Sequence, residues 1–302
     1  MKQTSRDSLE AFSDALVARA TAARPLVVEI SPKGGTFRSG TLWRPGIVVT
    51  SEQSLPKAES YDLTLPQGAR TEATLAGRDP GTNVAVLKFD GTDEHALPAR
   101  GEAEAGAIAL AYGADGRGGI EAHIGIVSAV GPAWRSRAGG KIDRRIVLDL
   151  AISHHDDGGP VVDASGRLLG ISTLGNRDTV LAIPPGTVDR SIDALLAHGR
   201  VERGWLGVAL QPIAIPDAWR ETAEAKSGLM VMSTVSDGPA AGAGLQAGDI
   251  LLKLDGAPAT HVRHLAERLG TDSVGRAIDI SVLRGGGPVS LRAMIAARPA
   301  DG

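Results

Sequence analysis

The chain has 302 residues, a formal net charge of −3 and no cysteine. That charge leaves no electrostatic footprint for nucleic acid, the missing thiols exclude disulfides and thiolate metal sites, and no run reaches the ~18 apolar residues of a membrane helix. With 42% hydrophobic residues, 39 Gly and only 3% aromatics, two turn-rich globular domains are expected, their cores built from Val, Ile, Leu and Ala.

Residues 1–24 predict an amphipathic helix, because Leu9, Phe12, Leu16 and Ala20 share one face. Asp7, Glu10, Asp14 and Arg19 interrupt any apolar leader, so the segment does not read as a signal peptide. The literal expectation is a cytoplasmic protein. From 25 to 197 short apolar strands alternate with Gly and Pro turns: Leu26–Ile30, Gly46–Thr50, Val84–Lys88, Ala107–Ala111, Ile124–Ser128 and Ile146–Leu150. Strands at this spacing without long helices indicate a barrel or sandwich. A closing helix is expected over Thr187–His198, where Val188, Ile192, Leu195 and Leu196 fall at helical spacing. Residues 198–204 read as a linker. The second domain, 205–298, predicts helices over Asp217–Lys226 and Val262–Leu269, with strands at Leu229–Met232, Ile250–Leu254 and Ile278–Leu283.

Ser39-Gly40-Thr41-Leu42, Gly125-Ile126-Val127-Ser128-Ala129, Asp149-Leu150-Ala151-Ile152, Leu168–Thr173 and Leu181–Pro184 resemble, in order and at matching spacing, motifs of the HtrA/DegP-type trypsin-like serine proteases. Ser39-Gly40-Thr41-Leu42 is similar to an early barrel strand, and Gly125-Ile126-Val127-Ser128-Ala129 matches a family strand almost literally. Asp149-Leu150-Ala151-Ile152 resembles the lead-in to the nucleophile loop. Leu168–Thr173 and Leu181–Pro184 resemble the strands flanking the substrate cleft. The resemblance implies a mainly β fold, a chymotrypsin/trypsin-like double β-barrel. It also implies where the catalytic triad would stand, and there the chain departs from the pattern. Val48-Val49-Thr50-Ser51-Glu52-Gln53 replaces a motif ending in His. Thr82-Asn83-Val84-Ala85-Val86-Leu87-Lys88 replaces one with Asp second. Asp156-Asp157-Gly158-Gly159-Pro160 stands where the family has Asn-Ser-Gly-Gly-Pro.

Serine hydrolysis needs a base beside the hydroxyl to take and return its proton. The Gln53 amide cannot do this near neutral pH. Asn83 carries no charge to stabilise an imidazolium. Asp157 is a poor nucleophile toward amides, and it puts negative charge where an oxyanion would develop. His155 replaces a glycine of the family's oxyanion turn, here His155-Asp156-Asp157, and adds a Cβ to it. A pseudoprotease is therefore expected. The alternative is an active serine endopeptidase working through other residues.

His154, His155, Asp156 and Asp157 are also metal-capable. In an extended loop alternate residues face one way, so His155 with Asp157, or His154 with Asp156, could supply two ligands, with Gln53 or His123 as a third. A solvated polar loop is the plainer alternative, and His123 itself reads as an exposed strand residue. His95, His261 and His264 carry no expected role. No cofactor is expected.

In the second domain, Arg203-Gly204-Trp205-Leu206-Gly207-Val208 and the stretch Gly238–Ile250 resemble the PDZ domain that follows the HtrA-type protease domain. PDZ domains add an extended peptide as a strand to a sheet edge. The resemblance implies that Trp205, Leu206, Gly207 and Val208 receive a C-terminal carboxylate, with Leu206 and the helix after Pro216 as walls of the groove. The implied partners are peptides or the C-termini of unfolded proteins, an active protease paralogue, and two further copies in a homotrimer seated on the N-terminal segment. It also implies a periplasmic or cell-envelope location if an export signal has been trimmed.

Overall fold

The computed structural model describes residues 2–299 apart from 33–34, 59, 92–96, 137, 176–178, 263–264, 266–267, 271–272 and 298. His95 and His264 lie outside the described residues, as does much of the 262–269 segment. The chain divides into two compact units, Met1–Val201 and Glu202–Gly302.

The first unit opens with helix α1, Lys2–Ala23. Its apolar face docks only in its second half: Leu16 and Ala20 pack on the core, whereas Leu9 and Phe12 are exposed. Arg19 fixes the docked half by donating to the Ala164 carbonyl at 2.9 Å. Strands β1 (Val27–Pro32), β2 (Arg38–Arg44), β3 (Ile47–Ser51), β4 (Ser60–Thr64), β5 (Arg70–Asp79) and β6 (Val84–Phe89) close a barrel in the order β1-β2-β3-β6-β5-β4. A second closed barrel uses β7 (Ile108–Ala114), β8 (Ile120–Gly131), β11 (Arg145–Asp149), β12 (Pro160–Asp163), β13 (Leu168–Leu174) and β14 (Val180–Ile183). Between β8 and β11, the short strands β9 (Trp134–Arg135) and β10 (Lys141–Ile142) pair with each other. The closing helix α2 runs Pro185–His198 and stops at Gly199, which adopts the left-handed conformation.

Alternation of side chains explains why these strands are apolar on both faces. Ala85 and Leu87 of β6 fill the first barrel with Val28, Ile30, Leu42, Tyr61 and Leu63. Val84 and Val86 point the other way, into a layer shared with Trp43, Leu110, Tyr112, Val188 and Ile192. Likewise Ala109 and Ala111 of β7 face the second barrel's interior. A strand buried on both sides reads as a continuous apolar run, as Val84–Phe89 does.

The second unit contains β15 (Gly204–Trp205), β16 (Val208–Ala214), α3 (Asp217–Ala223), β17 (Ser227–Thr234), α4 (Pro239–Gly242), β18 (Ile250–Leu254), β19 (Ala257–Pro258), β20 (Ala277–Arg284), β21 (Gly287–Met294) and β22 (Ala296–Ala297). The sheet order is β16-β17-β18-β20-β21, so β16 is an edge strand paired only with β17; β15 pairs with β22. Helix α3 is shorter than its periodicity suggests. Glu224 turns to φ 48°, ends the helix and donates its N–H to Glu221 O. The mainly β architecture, two six-stranded barrels followed by a second unit built on a sheet with short helices, agrees with the fold that the sequence implies.

Candidate functional site

The loops after β3, β5 and β11 bring Gln53, Asn83 and Asp157 together. Asp79 sets the second of these loops by accepting from the Gly81 N–H and the Thr82 hydroxyl. Asn83 sits at φ 59°, a left-handed conformation that Asn tolerates better than most residues. Its Oδ1 accepts from the Gln53 backbone N–H at 2.9 Å. The Gln53 side-chain amide donates toward Asp157 Oδ2 at 3.1 Å, Thr173 Oγ1 at 3.2 Å and the Leu174 carbonyl at 2.7 Å. Its two hydrogens are thus shared among three acceptors. Asn83 Nδ2 also donates to Thr173 Oγ1, at 2.5 Å, and Ser51 Oγ lies 3.4 Å from the same hydroxyl. Thr173 is the hub of the cluster. In the sequence Thr173 is only part of a strand motif; its inward direction depends on the phase of β13, which periodicity leaves open.

Asp157 is buried, only 1% exposed. Burial pushes its carboxyl up from the usual range, and hydrogen bonds from Gln53, Ser51 and Thr173 offset this only in part. Its Oδ1 has no hydrogen-bond partner among the described residues. The loop is latched from behind: Gly158 N–H donates to Ser172 O at 2.9 Å, and Ser172 N–H to Gly159 O at 2.8 Å. Gly158 has φ 105°, and a Cβ there would come within 2.3 Å of Thr50 Oγ1 and 2.6 Å of the Ser51 nitrogen. Only glycine fits that position.

The turn's own donors are directed inward. The His155 N–H donates to Ser153 Oγ at 3.1 Å, and the Asp156 N–H to Ser153 O at 3.2 Å. The His155 ring stacks on Phe37 with centroids 4.8 Å apart, while His154 is exposed. Asp156 turns away from the Gln53 cluster. Its Oδ2 accepts from the Ser153 N–H at 2.7 Å and from Ser153 Oγ at 2.8 Å, and lies 3.2 Å from His123 Nε2. That last contact is electrostatic, because the ring nitrogen makes no hydrogen bond of good geometry. Burial opposes ionisation of Asp156, but His123 and Ser153 outweigh it and hold the carboxyl below its usual range. Asp156 in turn raises the His123 imidazole.

These positions correct the expected ligand set. Neither His154, His155 nor Asp157 joins a metal-capable group among the described residues; Glu121, His123 and Asp156 do, with ligand atoms within 4.8 Å of one another. In the tight turn, alternate residues do not share a face as they would in a strand. His123 is not a plainly exposed residue either: its side chain is 23% exposed.

In the second unit the loop Trp205-Leu206-Gly207-Val208 precedes the β16 edge. The Leu206 side chain is buried. The loop carbonyls are held inside, Leu206 O by Ala240 N–H and Gly207 O by Val235 N–H, both at 2.8 Å. Among the described residues the N–H groups of Leu206 and Gly207 have no acceptor. Gly207 adopts φ 70°, and a Cβ would sit 2.9 Å from the Trp205 ring. The expected wall formed by the helix after Pro216 is corrected. Ala223 of α3 belongs to a cluster with Ile215, Ile250, Leu252 and Leu283, and the Trp219 ring lies over Gly286. Leu206 instead shares its cluster with Leu265, whose own residue is helical, and with Leu210 of β16.

Residues 38–171 match the family model of the trypsin-like peptidase domain, and residues 204–295 that of the PDZ domain. A barrel pair of the trypsin-like peptidase class followed by a PDZ domain is thus defined. The chain is 33% identical over 266 residues to a protein of Brucella suis biovar 1 (strain 1330) named a probable periplasmic serine endoprotease DegP-like, covering 85% of this chain and 51% of that one. It spans about half the length of the curated relatives it matches. Among solved structures, the HtrA-type protease AlgW with tripeptide is 32% identical, with a TM-score of 0.71, covering 94% of this chain and 98% of that chain. The serine endoprotease from Yersinia pestis is 27% identical with a TM-score of 0.74, covering 95% and 98%. The chain belongs to the HtrA-type protease family. The cytoplasmic expectation is corrected by the curated relatives, which are named periplasmic; charged residues in Met1–Arg24 are no guide to compartment. Among the described residues no helix is long and apolar enough to cross a membrane.

Proposed function

We propose that this chain is a catalytically silent HtrA-type homologue that works in the periplasm by binding peptides or the C-termini of unfolded proteins. One observation carries the loss of catalysis: the side chain beside Asp157 is the Gln53 amide, a donor with no basic lone pair. Removal of a proton from a nucleophile has no agent there. The inward-directed His155 N–H leaves the turn without one donor an oxyanion would need. Peptide capture is supported by the accessible β16 edge and by the free N–H groups of Leu206 and Gly207. Together these suit an added strand that ends in a carboxylate. Residues Trp205, Leu206, Gly207 and Val208 would hold that terminus, and the segment around Leu265 would flank the strand.

The names of the relatives favour a second function, serine endopeptidase activity through other residues. One grouping of serine, carboxylate and imidazole among the described residues is Ser153, Asp156 and His123. There the carboxylate stands between the other two, so the hydroxyl faces an acceptor of low basicity rather than the imidazole. A rhodamine-tagged fluorophosphonate applied to the purified full chain separates the two functions. Catalytic silence predicts no labelled band; labelling that disappears with a serine substitution would establish the peptidase.

A further inference from the structure

We infer that Glu121, His123 and Asp156 form a binding site for a divalent transition-metal ion such as Zn²⁺ or Mn²⁺, tying strand β8 to the loop before β12. The inference is independent of peptide binding and of catalysis.

The site arises from strand register. Glu121 and His123 are two apart on β8, so both leave the same face. Their partners on β7 are Gly113 and Ala111. Gly113 opens a slot that the Asp156 carboxylate fills, since a Cβ at Gly113 would come 2.0 Å from Asp156 Oδ1. One imidazole and two carboxylates are thereby gathered within 4.8 Å.

Two further observations point to an ion. The Asp156 side chain is 1% exposed, and its Oδ1 has no partner among the described residues. A charge buried so deeply is ordinarily paired or coordinated to a metal. His123 Nε2 is also buried and makes no hydrogen bond, although Asp156 Oδ2 is only 3.2 Å away. That separation suits two ligands of one ion: groups bonded at ~2.0–2.2 Å with an angle of roughly 90–110° lie about 2.8–3.6 Å apart. Ser153 holds Oδ2 through its N–H and hydroxyl, the outer support usual for a ligating carboxylate. Glu121, which is exposed, offers the third ligand atom, leaving the remaining positions to water. Imidazole with carboxylates selects Zn²⁺ or Mn²⁺ over Ca²⁺ and Mg²⁺, which prefer oxygen alone.

The test is titration of chelator-stripped full-length protein with ZnCl₂ or MnCl₂, read by calorimetry and by thermal unfolding. One saturable site is expected, with unfolding temperature rising with ion concentration. Glu121→Gln and His123→Ala should each weaken binding by at least about tenfold, while His154→Ala and His155→Ala leave it unchanged. Glu121 is exposed, so Glu121→Gln remains folded and informative even if His123→Ala does not. No binding of either ion at millimolar concentration would overturn the site. So would binding that survives Glu121→Gln unchanged, or that is lost only in the His154 or His155 variants.

Discussion

The two units carry their chemistry in different parts of the chain. In the barrel unit, hydrolysis would rest on three side chains, and those positions hold Gln53, Asn83 and Asp157, joined in an amide–carboxyl–hydroxyl cluster around Thr173. In the second unit, the proposed recognition would rest on the backbone: N–H groups at Leu206 and Gly207 and the edge of β16. Three substitutions can delete a triad while leaving every strand in place. No comparable change deletes a row of peptide groups. On the proposed function, substitution would fall on catalysis in one unit and leave the capacity to bind in the other.

The sharpest way to break this comparison is to put the side chains back. Gln53→His, Asn83→Asp, Asp157→Ser and His155→Gly together should give a folded protein that a fluorophosphonate labels, because Gly158, Gly159 and the left-handed Asn83 backbone already hold the loops. Each single change should restore nothing, since triad members act as a unit. A folded quadruple variant with the three side chains far apart in a crystal structure would refute the assignment of positions.

A smaller effect is expected from disturbing the backbone of the second unit. Gly207→Val forces a β-branched residue to φ 70° against the Trp205 ring, at a cost of about 1–2 kcal/mol, and should abolish the close approach of a terminus. Amidating the peptide should cost about 1–3 kcal/mol of binding to wild type, the worth of hydrogen bonds to a charged group. Titration of a fluorescent peptide with full-length protein checks both. Equal affinity for free-acid and amidated peptides would mean that this unit does not read termini.

The smallest effect concerns the price of the lost nucleophile position. Asp157 is raised chiefly by burial, so ionising it opposes folding. The penalty is absent below the ordinary carboxylate range, where the group is neutral folded and unfolded. It grows as pH rises through that range toward the raised folded value and is constant above it. Asp157→Asn should therefore stabilise the barrel unit at neutral pH, with the gain vanishing below the ordinary carboxylate range. Thermal unfolding at both pH values measures it; a gain equally large at acid pH would show that ionisation is not the cause.

How much of this was legible in the sequence follows from what each feature depends on. The barrels were legible because glycine-punctuated apolar runs such as Val84–Phe89 mark strands buried on both faces. The convergence of Gln53, Asn83 and Asp157 was legible through resemblance, as their separation along the chain says nothing of contact. The Thr173 hub depended on strand phase. The Glu121–His123–Asp156 cluster depended on the β7–β8 register and on the slot over Gly113, neither of which a motif displays. Helix α3, which the resemblance implies as a wall of the groove, instead packs with Ile250, Leu252 and Leu283, its Trp219 over Gly286.

Digestion of casein by repeatedly purified full-length protein tests the central claim most directly. Separation of a lost side-chain chemistry from a preserved backbone one predicts intact casein after prolonged incubation, at the level of buffer alone. Cleavage that follows this protein through every purification step and disappears on substituting Asp157 would contradict it.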